Sequence, residues 1–521
     1  MSELVVSARK FFSGTLLSRI SGMLRDMALA FFFGSSPVIA SFMIAYRFAN
    51  LLRRLLGEGS LQAGFIPHFA GLKASRPKEA ETFFRDGFFT LFIVLAGVVL
   101  VGEGALSLLK PSNDFAEVFR LTKIMLPGLI FICLYAFSAG HLQCERKFFL
   151  PAVTPALFNL LWILVAFIAY KTNLFSIGTT LSIGVLAAFL LQWGVTMAAS
   201  VKELTLSFKE WLQFKLFPSE IKKLFKPLSL SVIGVAAMQM NAALDSIFAK
   251  FADPSGPAYL WYAIRVEQLP LALFGIALAN ALLPTLSRLV HAGDFENYQK
   301  QLRFAISGAI VFMLAASGGL FALGGSGLNL LYGRGHFTSS TLIETLFCLW
   351  GYAGSLLPGA MVLFLANGYY AQKQYALPAI ASVISVLFHI LLNGLFIFVF
   401  SWGAFSIALS TTLSSLLNCV ILGYLLSKKY PKIFSKKIFL KTATMVVASA
   451  FLTIEIGHLI GNDGTFNLLL GKEGVFATGF SNQLVSFVLL AFVYLGSFFA
   501  FAKIFRIEEL FIFLRKKSFF S

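Results

Sequence analysis

The chain is 521 residues long, 58% of them hydrophobic, with 59 phenylalanines and only 13% charged side chains. Apolar runs of the roughly 20 residues that cross a bilayer as a helix recur from end to end, with no domain-sized polar stretch between them. That excludes a soluble enzyme. It also removes nucleic acid as the reason for a net charge of +18, because the positive residues fall where membrane topology places them.

The chain reads as an all-α polytopic membrane protein, since helices satisfy their own backbone groups in lipid. Arg9 and Lys10 precede the first apolar run, but two arginines in "SRISGMLRD" interrupt it and no small-residue cleavage site is evident. The segment therefore reads as a membrane span and not as a cleaved signal peptide. About fourteen spans are predicted, near 10–34, 38–70, 83–109, 120–143, 150–170, 177–200, 224–251, 257–287, 303–328, 340–370, 376–400, 402–427, 438–460 and 483–506.

Lysine and arginine collect in every second connection. Lys73, Arg76 and Lys78 follow span 2, and Arg146 and Lys147 follow span 4. Lys202, Lys209 and Lys215 follow span 6, Arg288 and Lys300 follow span 8, and Lys428, Lys429 and Lys432 follow span 12. The alternate connections "GSSPV", "ADPSGP" and "FSW" carry neither residue. By the positive-inside rule both termini are cytoplasmic, which requires an even number of spans. The four cysteines have no paired spacing and the six histidines no ligand spacing, so neither a disulfide framework nor a resident cofactor is expected.

"AGFIPHFAGL" (63–72) and "NALLPTLSRL" (280–289) share a proline near the end of a span, about 217 residues apart. Upstream, "IAYRFAN" faces "WYAIRVE" with a slip of one residue. Spans 1–6 and 7–12 thus read as two parallel repeats, with chance likeness between proline-containing spans as the alternative. The predicted organisation is a six-helix lobe over 1–215, a second over 216–430, and two additional helices over 431–521.

Once the topological charges are set aside, Arg19 and Arg25 remain in span 1, Arg47, Arg53 and Arg54 in span 2, and Arg265 in span 8. A charge at the bilayer centre costs on the order of 3 kcal/mol, so such residues line a watery cavity or pair with one another. Snorkelling would explain Arg19 or Arg47. Asp26 two turns from Arg19, Glu58 after Arg54 and Glu267 after Arg265 offer internal ion pairs, and local packing is a third explanation. Six cations with so few acids leave an excess of positive charge, and clustered guanidinium groups suit phosphate or carboxylate. Gly14, Ser18 and Gly22 form a small-residue stripe for a neighbouring helix, and Arg25 shares the face of Ser18. Gly57 and Gly59, which flank Glu58, permit a bend and mark a candidate hinge.

The stretches "SRISGMLRD", "NLLRRLLGEGSLQAGFIP" and "WYAIRVEQLPLALFGIALANALLPTLS", taken in order, resemble the MurJ (MviN) lipid II flippase family of the multidrug/oligosaccharidyl-lipid/polysaccharide exporter superfamily. The resemblance covers the whole chain. It implies fourteen helices as six plus six plus two, and a cationic cavity whose arginines fall on Arg19, Arg25, Arg53 and Arg265, with Arg54 and Glu58 completing the span 2 motif. Arg47 falls on a position that is basic in other members. It also implies a lipid-tail groove formed with the last two helices, and lipid II, an undecaprenyl-pyrophosphate carrying a disaccharide-pentapeptide, as the cargo in the bacterial cytoplasmic membrane. Partners then include membrane lipids and the peptidoglycan-synthesis machinery. A coupling cation such as sodium, or the membrane potential, would reset the carrier. Asp245 and Asn393 are the counterparts of a sodium site on this resemblance, with pairing of Asp245 to Lys250 as the plainer alternative. Two family acids are replaced, by Ala40 and Ile264, and Glu267 could substitute for the second.

An exporter of another polyprenyl-linked oligosaccharide, or a multidrug exporter of the same superfamily, is the alternative, although cationic drugs call for acids in the cavity. An enzyme acting on polyprenyl phosphates would need paired acids or metal ligands, and the acids here are scattered singly. Reporter fusions test the topology: a fluorescent protein at the C-terminus is expected to fluoresce, and alkaline phosphatase there to be inactive.

Overall fold

Every regular element among the described residues is helical. The structure is a computed structural model describing residues 3–56, 60–172, 174–221, 241–431, 433–461, 464–472, 474–507 and 510, with the side chains of 3–12, 52–56 and 60–64 not described. Packing divides it into two compact units, Met1–Ile247 and Phe248–Ser521.

The first unit contains α1 (Glu3–Phe33), α2 (Pro37–Leu56), α3 (Ser60–Ser75), α4 (Pro77–Leu108), α5 (Asn113–Met125), α6 (Gly128–Cys144), α7 (Phe149–Lys171), α8 (Ile177–Val201) and the short α9 (Phe208–Leu212). Helical residues 241–252, here α10, carry the chain into the second unit. There follow α11 (Gly256–Pro270), α12 (Ala277–His291), α13 (Phe295–Tyr332), α14 (Ser339–Ala353), α15 (Leu356–Ala371), α16 (Ala376–Gly394), α17 (Phe405–Lys429), α18 (Lys436–Ile460), α19 (Thr465–Leu469) and α20 (Phe480–Ile504). Among the described residues ten helices or helix pairs are long and apolar enough to cross a membrane, and eleven if the bent pair α5–α6 is one span.

Several predicted spans are less regular than expected. Span 4 begins earlier, at Asn113, and bends by 46° where α5 meets α6. Pro127, at that junction, has no N–H to continue the ladder. Span 10 divides between α14 and α15 at Gly354 and Ser355. Span 8 contains a π-helical turn, Leu271–Ile276, directly after Pro270, and a second π-helical turn, Leu395–Val399, closes α16. Most of span 7 lies outside the described residues.

The neighbour order of the second unit repeats that of the first. In the first, α2 packs on α5, α3 on α4 and α6, α4 on α6, both α5 and α6 on α8, and α7 on α8. In the second, α11 packs on α14, α12 on α13 and α15, α13 on α15, both α14 and α15 on α17, and α16 on α17. Pro67 and Pro284 accordingly lie in equivalent helices, α3 and α12. The helices that exceed the repeat, α18 and α20, pack on α13 and on each other.

The small-residue stripe of α1 is the face that meets α7. A Cβ on Gly14 would lie 2.8 Å from Ala152 Cβ, and one on Gly22 would lie 3.5 Å from Asn159 Nδ2. The two backbones therefore approach closely, as small residues allow where lipid supplies little hydrophobic drive between helices. The short α9 begins with a capping box, Ser207 with Glu210, which holds the exposed Glu210 carboxyl below its usual range through the Ser207 hydroxyl and amide. Behind it, the buried Arg85–Asp86 pair of α4 holds this connection: Arg85 Nη1 donates to the Glu210 carbonyl at 2.7 Å, and Asp86 accepts the Lys215 amide at 3.0 Å.

The α1–α7 contact yields a stability prediction. Gly14→Val is expected to destabilise the protein by about 1–3 kcal/mol through overpacking, read as a lower unfolding temperature in detergent. Gly97→Ala, where a Cβ meets nothing within 4 Å, is the control expected to show no loss.

Candidate functional site

The first unit buries a cation beside the α1 stripe. Arg25 is 6% exposed and Asp26 is 3% exposed. Arg25 Nε and Nη2 donate to Asp26 Oδ1 at 3.1 and 2.8 Å, and Nη1 donates to Asn159 Oδ1 of α7 at 3.0 Å. Its guanidinium also lies 4.4 Å from the centroid of Trp162, one turn further along α7. Asn159 turns its amide nitrogen the other way, donating to the Ser18 carbonyl at 3.2 Å and to Ser21 Oγ at 3.0 Å. Trp162 is itself fixed by edge contacts with Phe42 and Tyr46 of α2 and Phe158 of α7.

This corrects one expectation. Asp26 does not pair with Arg19, the cation two turns away on its helix; it binds Arg25, whose guanidinium Asn159 and Trp162 hold within reach. Arg19 is exposed. Arg47 donates from Nη1 to the Ala242 carbonyl at 3.1 Å, tying α2 to the start of α10. Arg53 and Arg54 lie in α2, but their side chains fall outside the described residues, as do Gly57, Glu58 and Gly59, so the expected hinge lies there too. Ala40 is fully buried.

In the second unit, Arg265 of α11 is half-buried with its guanidinium 4.5 Å from the centroid of Trp261, one turn back on the same helix. Glu267 is buried, and its Oε1 lies 3.3 Å from Ser355 Oγ at the α14–α15 junction. The expected Glu267–Arg265 ion pair is thus replaced by a contact with a hydroxyl, because residues two apart on a helix point to different sides. Asn393 of α16 is buried with Nδ2 3.4 Å from His389 Nε2, which also lies 3.4 Å from Thr411 Oγ1 of α17. Asp245 of α10 is buried in the first unit, and Lys250 Nζ donates to the Pro254 carbonyl at 3.1 Å. Asp245 and Asn393, which belong to different units, each carry a side-chain oxygen donor. Among the described residues no three His, Cys, Asp or Glu side chains cluster as a metal site.

Arg25 in the first unit and Arg265 in the second thus each set the guanidinium against a tryptophan ring. A guanidinium face satisfied by an indole keeps its in-plane N–H groups for oxygen acceptors, the property that suits it to carboxylate or phosphate. Asn159, Trp162 and Ser355 were not anticipated. Asn159 could have been found as the polar residue in the middle of "ALFNLLWILV", three residues ahead of the tryptophan.

The family model "Lipid II flippase MurJ" matches residues 29–497. This chain belongs to the MurJ lipid II flippase family. A probable lipid II flippase MurJ of Chlamydia muridarum is 33% identical over 470 residues, covering 87% of this chain and 85% of that protein. One of Aquifex aeolicus is 31% identical over 446 residues, covering 83% and 85%. A solved lipid II flippase MurJ in an inward closed conformation shares the fold with a TM-score of 0.74 at 24% identity, over 95% of this chain and 98% of that one. An inward-facing multidrug resistance MATE family transporter of the MOP superfamily matches with a TM-score of 0.64 at 14% identity, over 81% and 95%. Membership of the MurJ family makes this a transporter and not an enzyme.

In this MurJ family member the Arg25–Asp26 pair is a testable structural unit. Asp26→Asn removes the carboxylate charge that lies against a buried guanidinium and is expected to cost about 3–5 kcal/mol, measured as lost thermal stability in detergent. The double variant Arg25→Gln/Asp26→Asn is expected to recover part of that loss.

Proposed function

We propose that this chain is a lipid II flippase of the bacterial cytoplasmic membrane, moving the undecaprenyl-pyrophosphate-linked precursor from the inner to the outer leaflet by alternating access. The observation that carries the reading is the family match over residues 29–497 in a chain that sets arginines within its apolar helices. The pyrophosphate docks on Arg25, Arg53, Arg54 and Arg265, with Arg19 adding to the positive surface and Ser18, Asp26, Arg47 and Glu267 supporting it. The Trp261 stacking of Arg265 supports an arginine there, since a lysine presents a point charge without a planar face.

In this reading the chain has fourteen spans with both termini cytoplasmic, a first lobe over 1–215, a second over 216–430, and helices over 431–521 that border the lipid tail. Gly57, Glu58 and Gly59 absorb the backbone change of the rocking motion, as a hinge of a few residues does. Sodium at Asp245 and Asn393, or the membrane potential, resets the empty carrier; moving one charge is worth about 2.3 kcal/mol per 100 mV. Enzymes of peptidoglycan synthesis are the expected partners.

Cells depleted of their lipid II flippase test this. The chain is expected to restore growth and outer-leaflet lipid II, and Arg265→Ala to abolish both at normal membrane abundance, with Arg265→Lys recovering only part. Full complementation by Arg25→Ala and by Arg265→Ala would rule out the anion site.

A further inference from the structure

Among the described residues, no cation forms an ion pair with Glu267. It is 6% exposed in α11, and its Oε1 lies 3.3 Å from Ser355 Oγ. The same Oγ lies 2.7 Å from the Tyr352 carbonyl oxygen. A hydroxyl has one proton and two lone pairs, and a carbonyl oxygen can only accept. The shorter contact therefore uses the Ser355 proton. The longer one becomes a hydrogen bond when the carboxyl itself carries a proton and donates it to the Ser355 oxygen.

Among the described residues, the elements packed on α11 supply no cation to it. Arg265 is about 200° away around α11, with its guanidinium over Trp261. The π-helical turn Leu271–Ile276 has no ionisable residue, and α13 has none between Arg303 and Tyr332. From α14 come the buried Cys348 and Tyr352, and Glu344, which faces Asp253 beyond the other end of α11. In α15 the first ionisable side chain is Tyr369, far along the helix. An unpaired charge in such surroundings costs several kcal/mol, and taking up a proton removes that cost.

Two irregularities adjoin this carboxyl. The π-helical turn begins four residues after it, and the α14–α15 junction holds its partner. π-helical turns are local departures from the regular ladder that recur at functional sites. We propose that Glu267 is a proton-binding site of the carrier, loaded in the packed arrangement described here and emptied when α11 and the π-helical turn rearrange to admit water. Proton binding and conformation then bias each other reciprocally, so a proton gradient shifts the carrier between its states. The coupling rests on the transport reading, whereas the proton site does not.

The test uses the full-length protein in lipid. Infrared spectroscopy is expected to show a protonated-carboxyl C=O band that shifts in deuterium oxide, is lost in Glu267→Gln, and moves to higher frequency in Ser355→Ala, where its acceptor is gone. In proteoliposomes held at zero membrane potential, the wild-type rate of headgroup exposure is expected to change with an imposed pH gradient, and that of Glu267→Gln to lose the dependence. Glutamine keeps the size and can donate to Ser355, so it preserves the packing. A band unchanged in Glu267→Gln, or an unaltered pH response in that variant, overturns the proposal. A band assigned to Glu267 in a protein that moves no lipid II would uphold the proton site and count against the transport reading.

Discussion

A guanidinium that stays charged inside an apolar bundle dictates how its surroundings are built. Arg25 cannot shed its proton, so its charge has to be met by oxygen acceptors and an electron-rich ring. Asp26, Asn159 and Trp162 meet it from two helices. Those contacts require α1 and α7 to lie close, and the glycine and serine stripe of α1 makes that approach possible. The dependence runs both ways, because the amide of Asn159 also satisfies the Ser18 carbonyl and Ser21 hydroxyl on the stripe itself. One buried cation thus organises a helix pair, and the same side chain belongs to the set expected to meet the pyrophosphate.

The second unit solves a related problem differently. Arg265 takes its aromatic partner from its own helix, one turn back, and its neighbouring acid is directed to a serine. This part of the unit is also where the helices are least regular: Pro270 and a π-helical turn follow Glu267 along the chain, and the break at Ser355, far off in sequence, is brought against Glu267 in space. Strained or interrupted ladder is tolerated at membrane depth only where protein or a cavity covers it. Regular helix in the stripe of α1 and irregular helix after α11 therefore suit different tasks: one holds a charge in place, and the other can give way.

Much of this was legible in the sequence. Hydropathy gave the helical class and most spans, and Gly14, Ser18 and Gly22 gave the helix face that another helix meets. The pairing of Asp26 was misread, because spacing along one helix says nothing of a side chain arriving from α7. The breaks in spans 4 and 10 were missed although Pro127 and Gly354 mark them, since hydropathy averages over a single proline or glycine. The short α9 escaped notice for the same reason, although "SFKE" carries its capping box. The contact of Glu267 with Ser355 joins residues 88 apart in the chain, and no local pattern could announce it.

The helices beyond the repeat are seated on glycine. A Cβ on Gly318 of α13 would lie 2.2 Å from Val446 of α18 and 2.8 Å from the Tyr494 hydroxyl of α20, and that hydroxyl donates to the Ala315 carbonyl at 2.6 Å. Nearer the other end of α20, Gln483 donates to the Gly333 carbonyl at 2.9 Å, and Asn329 donates to the Ala477 carbonyl just ahead of the helix at 2.8 Å. Amputating the last ninety or so residues would bare a bald, carbonyl-lined furrow to hydrocarbon, so this outrigger is inseparable from its hull.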